Sequence, residues 1–408
     1  MKCRHCGTDL VLPLIDLGSA PPSNAYLTEK TLKAPEKWFP LKVLVCSECW
    51  LVQTDDYAGA EELFDGDYAY FSSFSTSWLT HAEQYVADMI DRFNLTVESH
   101  VIEVAANDGY LLQYVKAKGI PCLGIEPTAS TAAAAKEKGL EIVEEFFGIE
   151  LARKLVSMGK QADLTAANNV LAHVPDINNF LAGFAHLLKP NGVATFEFPH
   201  LMQLVKHTQF DTIYHEHFSY LSLTAVNQIF DQNGLQVFDV QELSTHGGSL
   251  RVFAQRKDQG QHQVNTAVGE LLTRESKAGV MTEAYYADFQ QRANRVKHDL
   301  MDFLIKAKRE GKKVIAYGAA AKGNTLLNYA GIRSDLLPFV VDRNPAKQNK
   351  FLPGSRIPIV EESMIRQEKP DYVLILPWNL RQEVTEQLNY IREWGGKFVT
   401  AVPNLEIV

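Results

Sequence analysis

The stretch over residues 100–112 constrains the fold of this chain more than any other. Residues 101–105 form a short apolar run with β-branched side chains, which predicts a buried strand. Asn107, Asp108 and Gly109 are turn residues, and apolar residues at helical spacing follow them. A strand, a tight turn and a helix make the first unit of a doubly wound nucleotide site, whose ligand lies over the carboxyl end of the strand. We therefore expect an α/β fold.

A second predicted strand, at residues 122–125, ends in Glu126. A carboxylate at this place can accept both hydroxyls of a ribose, and the spacing from Glu103 to Glu126 suits an adenosine-containing cofactor. The turn lacks the G-x-G-x-x-G pattern that cradles phosphates, which argues against a dinucleotide. S-adenosylmethionine (SAM) has a ribose and no phosphate, so we expect SAM. An ordinary βαβ unit without a cofactor is the alternative.

Three more strands are predicted in the same unit, over residues 140–143, 164–169 and 193–198. Phe146 and Phe147 follow the first of them, at a place where an aromatic ring can pack on an adenine. Asn168, Asn169 and His173 follow the second. Polar groups at the carboxyl end of a strand belong to the crevice of such a sheet.

Four of the five cysteines form two C-x-x-C pairs, Cys3 with Cys6 and Cys46 with Cys49. Pairs at this spacing supply four thiolates for a tetrahedral zinc ion. Four thiolates fill the coordination shell, so we expect a structural metal and no catalytic one. Four ordinary thiols, or a redox pair, are the alternatives.

The length and charge of the chain limit its class. At 408 residues we expect three domains, a zinc module at 1–66, a SAM domain at 67–257 and a last domain at 258–408. The net charge of −9 gives no support to a nucleic-acid groove. We expect no membrane span, because no apolar run approaches about 20 residues. The N-terminus lacks the apolar segment of a secretory signal, so the expected location is cytoplasmic.

A cluster of acid/base side chains occupies four consecutive residues, Tyr214, His215, Glu216 and His217. Two imidazoles, a phenol and a carboxylate in so short a stretch favour an acid/base site. In an extended segment His215 and His217 would share one face, opposite the other two. A metal site and a solvated loop are the alternatives.

Two further stretches suggest ligand contacts. The aromatic run over residues 68–78 contains Tyr70 and is either a lid over the ligand or packing for the helix that follows. His246 precedes two glycines between predicted strands at 235–240 and 250–255. Paired glycines permit close backbone approach to a ligand, or they form a plain hairpin turn.

The last third of the chain repeats the α/β pattern, with strands predicted at residues 313–317, 337–341 and 372–376. Lys322 opens a helix after the first of these strands, where it can bind phosphate. Asp342 can meet a ribose, Trp378 can stack on a base, and the polar Asn324 and Arg343 complete the expected substrate contacts. This second crevice is compatible with a nucleotide sugar, unless the domain is only a scaffold.

The sequence resembles the sugar C-methyltransferases that act on nucleotide-linked 4-keto-6-deoxyhexoses. The resemblance extends over the whole chain and is most specific in the cysteine pairs and in residues 103–112, 124–127, 169–174, 214–217, 246–251 and 323–329. It adds Ala105 and Pro127 to the expected SAM contacts. Many family members have Gly-Ser where this chain has Ala105 and Ala106, and we expect SAM binding to persist.

The resemblance implies a mechanism, in which a base removes the acidic proton beside a C4 ketone and the enolate attacks the methyl group of SAM. By this similarity His217 is the base, Tyr214 and Glu216 orient it or stabilise the enolate, and Tyr68 and His173 complete the pocket. A regular strand would point Glu216 away from His217, so we expect irregular backbone there.

By the same resemblance, the last domain holds the nucleotide diphosphate. The sequence leaves open dTDP or GDP, methylation at C3 or C5, a different acceptor, and a non-catalytic zinc-binding module that keeps a SAM fold.

Overall fold

The computed structural model describes residues 1–55 and 71–408, so Tyr68 and Tyr70 lie outside the described residues. Three β-sheets form within these ranges. The strands are β1 Leu12–Ala20, β2 Phe39–Val45, β3 Val52–Thr54, β4 Val101–Val104, β5 Cys122–Ile125, β6 Ile142–Val143, β7 Ala162–Asn168, β8 Leu188–Pro199, β9 Ser219–Tyr220, β10 Leu235–Leu243, β11 Ser249–Arg256, β12 Val314–Tyr317, β13 Val340–Val341, β14 Ile359–Val360, β15 Tyr372–Ile375, β16 Lys397–Thr400 and β17 Glu406–Ile407.

The α-helices lie between the strands and cover the sheets. They span Thr76–Phe93, Leu112–Ala117, Ala129–Glu137, Ile149–Ser157, Ile177–Leu187, Leu201–Lys206, Leu223–Gln232, Thr266–Ala278, Phe289–Arg309, Ala321–Ala330, Ser363–Glu368 and Arg381–Gln387. No helix in residues 1–55 or 71–408 combines the length and the apolar character needed to cross a membrane.

The central sheet has the strand order β10-β11-β8-β7-β4-β5-β6, in which only β11 runs antiparallel to its neighbours. The chain builds outward from β4 through β5 to β6, and then returns to the other side of β4 with β7 and β8. The strand order therefore reverses between β4 and β7, which is where ligands bind in open α/β sheets. The predicted α/β class is confirmed.

The C-terminal sheet repeats this design in the order β14-β13-β12-β15-β16-β17. Its strands are parallel apart from β17, and the order reverses between β12 and β15. A long helix, Phe289–Arg309, packs its apolar face against this sheet and the N-terminal module.

Strand β8 begins five residues earlier than the sequence pattern predicts, at Leu188. Leu188 pairs with Ala162, and Val193 pairs with Leu164. Residues 189–192 of β8 thus lie opposite a single residue of β7 and form an irregularity within the strand. Backbone pairing with β7 therefore begins before residues 190–192, directly after the preceding helix ends at Leu187.

The N-terminal sheet is antiparallel, with the order β1-β2-β3-β9. Its last strand, β9, comes from a part of the chain some 165 residues away from β3 in sequence, beyond the central parallel strands. A strand from the central part of the chain therefore completes the sheet of the N-terminal module.

The four paired cysteines converge at one end of this module, and their sulfur atoms all lie within 4.8 Å of one another. The distances from Cys3 Sγ to Cys49 Sγ and from Cys6 Sγ to Cys46 Sγ are both 3.5 Å. A tetrahedral ion with bonds of about 2.3 Å requires sulfur atoms about 3.8 Å apart, so the cluster fits zinc.

We expect one equivalent of zinc per chain, because metal binding and folding are coupled in so small a module. Elemental analysis of protein purified without added metal should find it. Cys49→Ser should lower the zinc content to nearly zero, whereas Cys122→Ser, a control outside the cluster, should retain the full equivalent. An intact N-terminal sheet with no metal and four free thiols would contradict the expectation.

Candidate active site

A left-handed turn follows β4 and shapes the first part of the crevice. Ala105, Asn107 and Gly109 all have positive φ angles, of 60°, 49° and 75°. A Cβ atom on Gly109 would lie 2.3 Å from a methyl carbon of Leu140, so this position requires glycine. Ala105 adopts the same conformation with a methyl group, at a cost of about 1 kcal/mol.

Glu126 closes this turn from the end of β5. One carboxylate oxygen accepts a hydrogen bond from the Asn107 amide at 2.8 Å, and the other accepts one from the Thr128 amide at 2.9 Å. Each oxygen keeps a second lone pair. The carboxylate is thus held rigidly at the edge of the sheet with acceptor capacity for a ribose.

Two buried polar atoms at this edge have no hydrogen-bond partner among residues 1–55 and 71–408. They are Oδ1 of Asp108 and Oδ1 of Asn168. Burial raises the pKa of the nearby Glu103 well above its ordinary value, and the charge of Glu126 adds to the effect, although a hydrogen bond from Tyr110 opposes it. Unsatisfied groups of this kind, at the carboxyl ends of parallel strands, fit a ligand rich in hydroxyl and amino groups such as SAM.

The two phenylalanines after β6 differ in their surroundings. Phe147 packs edge-on against Phe180 and Phe184 of the core, with ring centroids 5.5 and 4.8 Å away. Phe146 is 58% exposed. Only Phe146 therefore presents a ring that can pack on an adenine.

The end of the aromatic run lies on the turn after β4. The Ser72 amide donates to Asn107 Oδ1 at 2.9 Å, and the Ser73 amide donates to Asp108 Oδ2 at 3.3 Å. The Trp78 ring lies 5.3 Å from the His246 ring, which connects this segment to the loop with paired glycines. The described part of the run thus packs against the turn after β4 and against the loop of His246.

His217 lies in an irregular turn, as expected, and its two ring nitrogens have different roles. Nδ1 is 2.8 Å from the carbonyl oxygen of Thr212, which can only accept, so Nδ1 carries the proton. Nε2 is 2.8 Å from the Tyr214 hydroxyl and accepts from it. Burial lowers the pKa of His217 well below its ordinary value, and the nearby His173 adds to this effect. The imidazole is therefore neutral at pH 7, with its lone pair on Nε2.

The side chains around His217 have different partners, because the backbone turns at this point. The His173 ring packs edge-on at 4.6 Å, and burial lowers its pKa to about 4. Glu216 accepts a hydrogen bond from Asn24 Nδ2 at 3.2 Å, and burial raises its pKa to about 6. The alternation argument fails for His215, because its Nε2 donates to the carbonyl oxygens of Phe39 and Pro40 instead of sharing a face with His217.

The C-terminal sheet reaches the same region through Trp378. Its indole N–H donates to Asp211 Oδ2 at 2.7 Å. Asp211 directly precedes Thr212, whose carbonyl accepts from His217. Lys322 places its ammonium over the Trp378 ring at 4.7 Å and donates to Asn379. Burial raises the pKa of Asp211 to about 6 and lowers the pKa of Lys322.

Three other residues predicted to contact the substrate make hydrogen bonds within the protein. The Asp342 carboxylate accepts from the amides of Ala319 and Asn344, at 2.7 and 2.8 Å, and so closes the loop after β12 as Glu126 closes the turn after β4. Asn324 Nδ2 donates to the carbonyl oxygen of Ser23 in the N-terminal module at 2.7 Å. Arg343 is exposed and donates to a glutamine side chain.

A buried ionic network below the crevice was missed by the sequence analysis. Glu197, at the end of β8, accepts from Arg251 Nε at 2.6 Å and from His81 Nε2 at 2.8 Å. Burial would raise the pKa of Glu197, but His81 and Arg251 outweigh it and lower the pKa. A glutamate at the end of a predicted buried strand was the available signal, since such a charge requires partners.

Three family models cover most of the chain. Residues 3–64 match a family described as a zinc binding domain, residues 78–240 match a methyltransferase domain, and residues 244–403 match a C-methyltransferase C-terminal domain. The C-methyltransferase NovU of Streptomyces niveus is 35% identical over 407 residues, which are 100% of this chain and 96% of that protein.

Two solved structures resemble part of the chain. Magnesium protoporphyrin IX methyltransferase (ChlM) from Synechocystis PCC 6803, with bound SAM, is 16% identical and has a TM-score of 0.34, covering 44% of this chain and 79% of that one. A SAM-dependent methyltransferase from Clostridium acetobutylicum ATCC 824 is 11% identical and has a TM-score of 0.36, covering 44% and 92%. By its full-length identity to NovU, the chain belongs to the C-methyltransferase family that its sequence resembles, and it is a SAM-dependent methyltransferase with a structural zinc module.

Proposed function

We propose that this enzyme methylates C3 of a nucleotide-linked 4-keto-6-deoxy sugar, of the dTDP or GDP type, through base-catalysed enolate formation. The observation that carries the proposal is the state of His217, a neutral, half-buried imidazole whose Nδ1 donates to the Thr212 carbonyl, so that the lone pair is on Nε2, where the Tyr214 hydroxyl donates to it. A fixed tautomer beside a SAM crevice is what a carbon-directed methyl transfer requires of its base.

The chemistry follows from the C4 ketone, which acidifies the proton on C3. In the free site the Tyr214 hydroxyl donates to the one lone pair of His217 Nε2, so this hydroxyl first turns to donate to O4 of the substrate. His217 Nε2 then accepts the C3 proton, and the electron pair of the C–H bond enters the enolate, whose charge rests on O4 beside the Tyr214 hydroxyl. SAM, when bound, supplies an electrophilic methyl group to C3.

Glu216 and His173 complete the proposal around the base. The Glu216 carboxylate, in the same turn, offsets the positive charge that His217 acquires. The His173 ring packs against His217 and restrains its orientation. Tyr68 keeps its proposed place in the substrate pocket on the family resemblance, and Tyr70 keeps its place on the pattern of the aromatic run.

The nucleotide diphosphate belongs, in this proposal, to the C-terminal sheet. Lys322 supports this role, because its half-buried ammonium contacts a neutral amide and an aromatic face, and the Asp211 carboxylate accepts from the same Trp378. A partly desolvated cation so placed favours an anionic ligand. The binding energy of the diphosphate would then position C3 against the methyl group.

Glu126→Ala should weaken SAM binding by about 2 kcal/mol, because the ribose loses a charge-assisted acceptor and the turn after β4 loses two hydrogen bonds. Isothermal titration with S-adenosylhomocysteine measures the change. Glu137→Ala removes an exposed carboxylate from the following helix and is the matched control. Unchanged affinity in the Glu126 variant would contradict the assignment.

Glu216→Gln should stabilise the enzyme at pH 8. Burial raises the pKa of Glu216 from 4.5 to about 6, so the folded state binds this proton more tightly than the unfolded state does. Stability from this group is therefore lost as the pH rises from about 4.5 to 6, by about 2 kcal/mol in all. Unfolding midpoints at pH 5 and pH 8 should show a variant whose advantage over wild type grows with pH. An equal difference at both pH values would refute the prediction.

His217→Asn tests the function itself. The side chain keeps hydrogen-bonding groups but cannot take a carbon-bound proton, so turnover should fall about 10²–10⁴-fold while SAM binding persists. In deuterated water without SAM, mass spectrometry should detect exchange at C3 of a dTDP- or GDP-linked 4-keto-6-deoxy sugar with the wild type and none with the variant. His186→Asn, on an exposed helix face, is the control.

Exchange by the variant at the wild-type rate would assign the base elsewhere, with His173, Tyr214 and Glu216 as the candidates. Absence of both exchange and methyl transfer by the wild type, with both sugar nucleotides, would reject the proposed substrate class. Exchange at C5 instead of C3 would move the methylated carbon to the other side of the ketone.

A further inference from the structure

The turn that carries His217 is attached to the N-terminal module through the backbone. Strand β9 begins two residues after His217 and pairs with β3, in the register Val52 to Tyr220 and Gln53 to Ser219. The pairing continues toward the turn, because the Thr54 amide donates to the carbonyl oxygen of Phe218 at 3.1 Å. The turn is therefore the continuation of a strand in the zinc-module sheet.

Side chains of the N-terminal module contact the turn itself. The Thr54 hydroxyl, which is buried, donates to the carbonyl oxygen of His217 at 3.1 Å. Asn24 donates to the Glu216 carboxylate, and the carbonyl oxygens of β2 accept from His215. All four residues from 215 to 218 thus have a hydrogen bond to the N-terminal module, and for His217 that bond comes from Thr54.

Thr54 is in turn connected to the cysteine cluster. The neighbouring Gln53 is fully buried, and its side chain donates to Cys3 Sγ at 3.3 Å and accepts from the Arg4 amide at 2.9 Å. The Arg4 guanidinium donates to the Thr54 carbonyl at 2.9 Å and lies over the Phe218 ring at 5.3 Å. Residues 53 and 54 therefore connect a zinc ligand to the backbone of the base.

Contacts from the rest of the chain also hold this loop, but their hydrogen bonds go to the residues around His217. Thr325 Oγ1 donates to the carbonyl oxygen of Ile213 at 2.8 Å, the Trp378 indole donates to Asp211 at 2.7 Å, and the Phe218 amide donates to the carbonyl oxygen of Ala172 at 2.8 Å. The His173 ring packs on the imidazole itself. The backbone carbonyl of His217 accepts from Thr54 on β3, so β3 contributes directly to the position of the proposed base.

We infer that the zinc module positions the catalytic base, with Thr54 and Gln53 as the positioning residues. The inference rests on the proposed role of His217 and names what holds that residue in place. Zinc, when bound, would order the Cys3–Cys6 pair. Gln53 and Arg4 bond this pair to β3. Thr54, on β3, holds the backbone of His217. A displacement of about 1 Å at such a position can cost about 100-fold in rate.

Thr54→Val tests the inference, because valine keeps the shape of threonine and removes the donor to the His217 carbonyl. The expected result is a kcat at least about 10-fold lower, with KM for the sugar nucleotide and affinity for S-adenosylhomocysteine nearly unchanged. Thr54→Ser restores the hydroxyl and should restore most of kcat. Thr385→Val is the control, since that hydroxyl also donates to a backbone carbonyl, at 2.9 Å, in the last domain and should leave kcat unaltered when lost.

Nitrogen NMR of protein labelled with ¹⁵N-histidine gives a readout that does not depend on turnover. The His217 signals, identified by their absence in His217→Asn, should show the Nδ1–H tautomer in the wild type and in Thr54→Ser. In Thr54→Val they should broaden or show both tautomers. Gln53→Met should lower kcat in the same direction while elemental analysis still finds the full zinc content.

A Thr54→Val enzyme with wild-type kcat and an unchanged His217 spectrum would overturn the inference. A wild-type kcat in Gln53→Met would overturn the part that runs through Gln53. Failure of the wild type to exchange or methylate any keto-sugar would reject the proposed function instead, and the tautomer comparison would still decide whether Thr54 positions His217.

Discussion

The direction of the parallel strands is the constraint on which the rest of the structure depends. Because β4, β5, β7 and β8 run the same way, the polar residues that follow them emerge at one edge of the central sheet. The left-handed turn at Ala105, the carboxylate of Glu126 and the amide of Asn168 meet there. The proposed cofactor half of the site is thus built on one sheet, whereas the proposed base stands on a turn that belongs to no central strand and is supported from outside.

Burial at the junction of the three sheets sets the chemistry of this support. Glu103, Asp211 and Glu216 have raised pKa values, and His217 and Lys322 have lowered ones, all chiefly because water is excluded. Such desolvation destabilises the fold but strengthens every electrostatic interaction inside the site. The positive charge of Lys322 also lowers the pKa of His217. Because the imidazole is neutral, the two side chains do not repel each other.

The sequence predicted those parts that depend on local patterns. The turn at 107–109, the position of Glu126, the cysteine cluster and the two doubly wound sheets follow from periodicity and spacing, and the structure has them. Phe146 and Phe147 were predicted together beside the adenine, but the ring of Phe147 packs in the core. The irregular backbone predicted at 214–217 is present, and it turns His215 toward the N-terminal module. Asp211, Thr54 and Asn24 carried no local signal, since their importance arises from contacts between segments far apart in sequence.

The shared sheet of β3 and β9 sets a rule for recombining this enzyme with its relatives. A chain cut after the zinc module would leave β3 as an open edge strand, with unpaired amide and carbonyl groups that favour aggregation. A chain that began after the module would leave residues 215–218 without their hydrogen-bond partners. Chimeras that exchange acceptor specificity should therefore cross over beyond β9 and inherit the zinc module and the turn at 215–218 from the same parent.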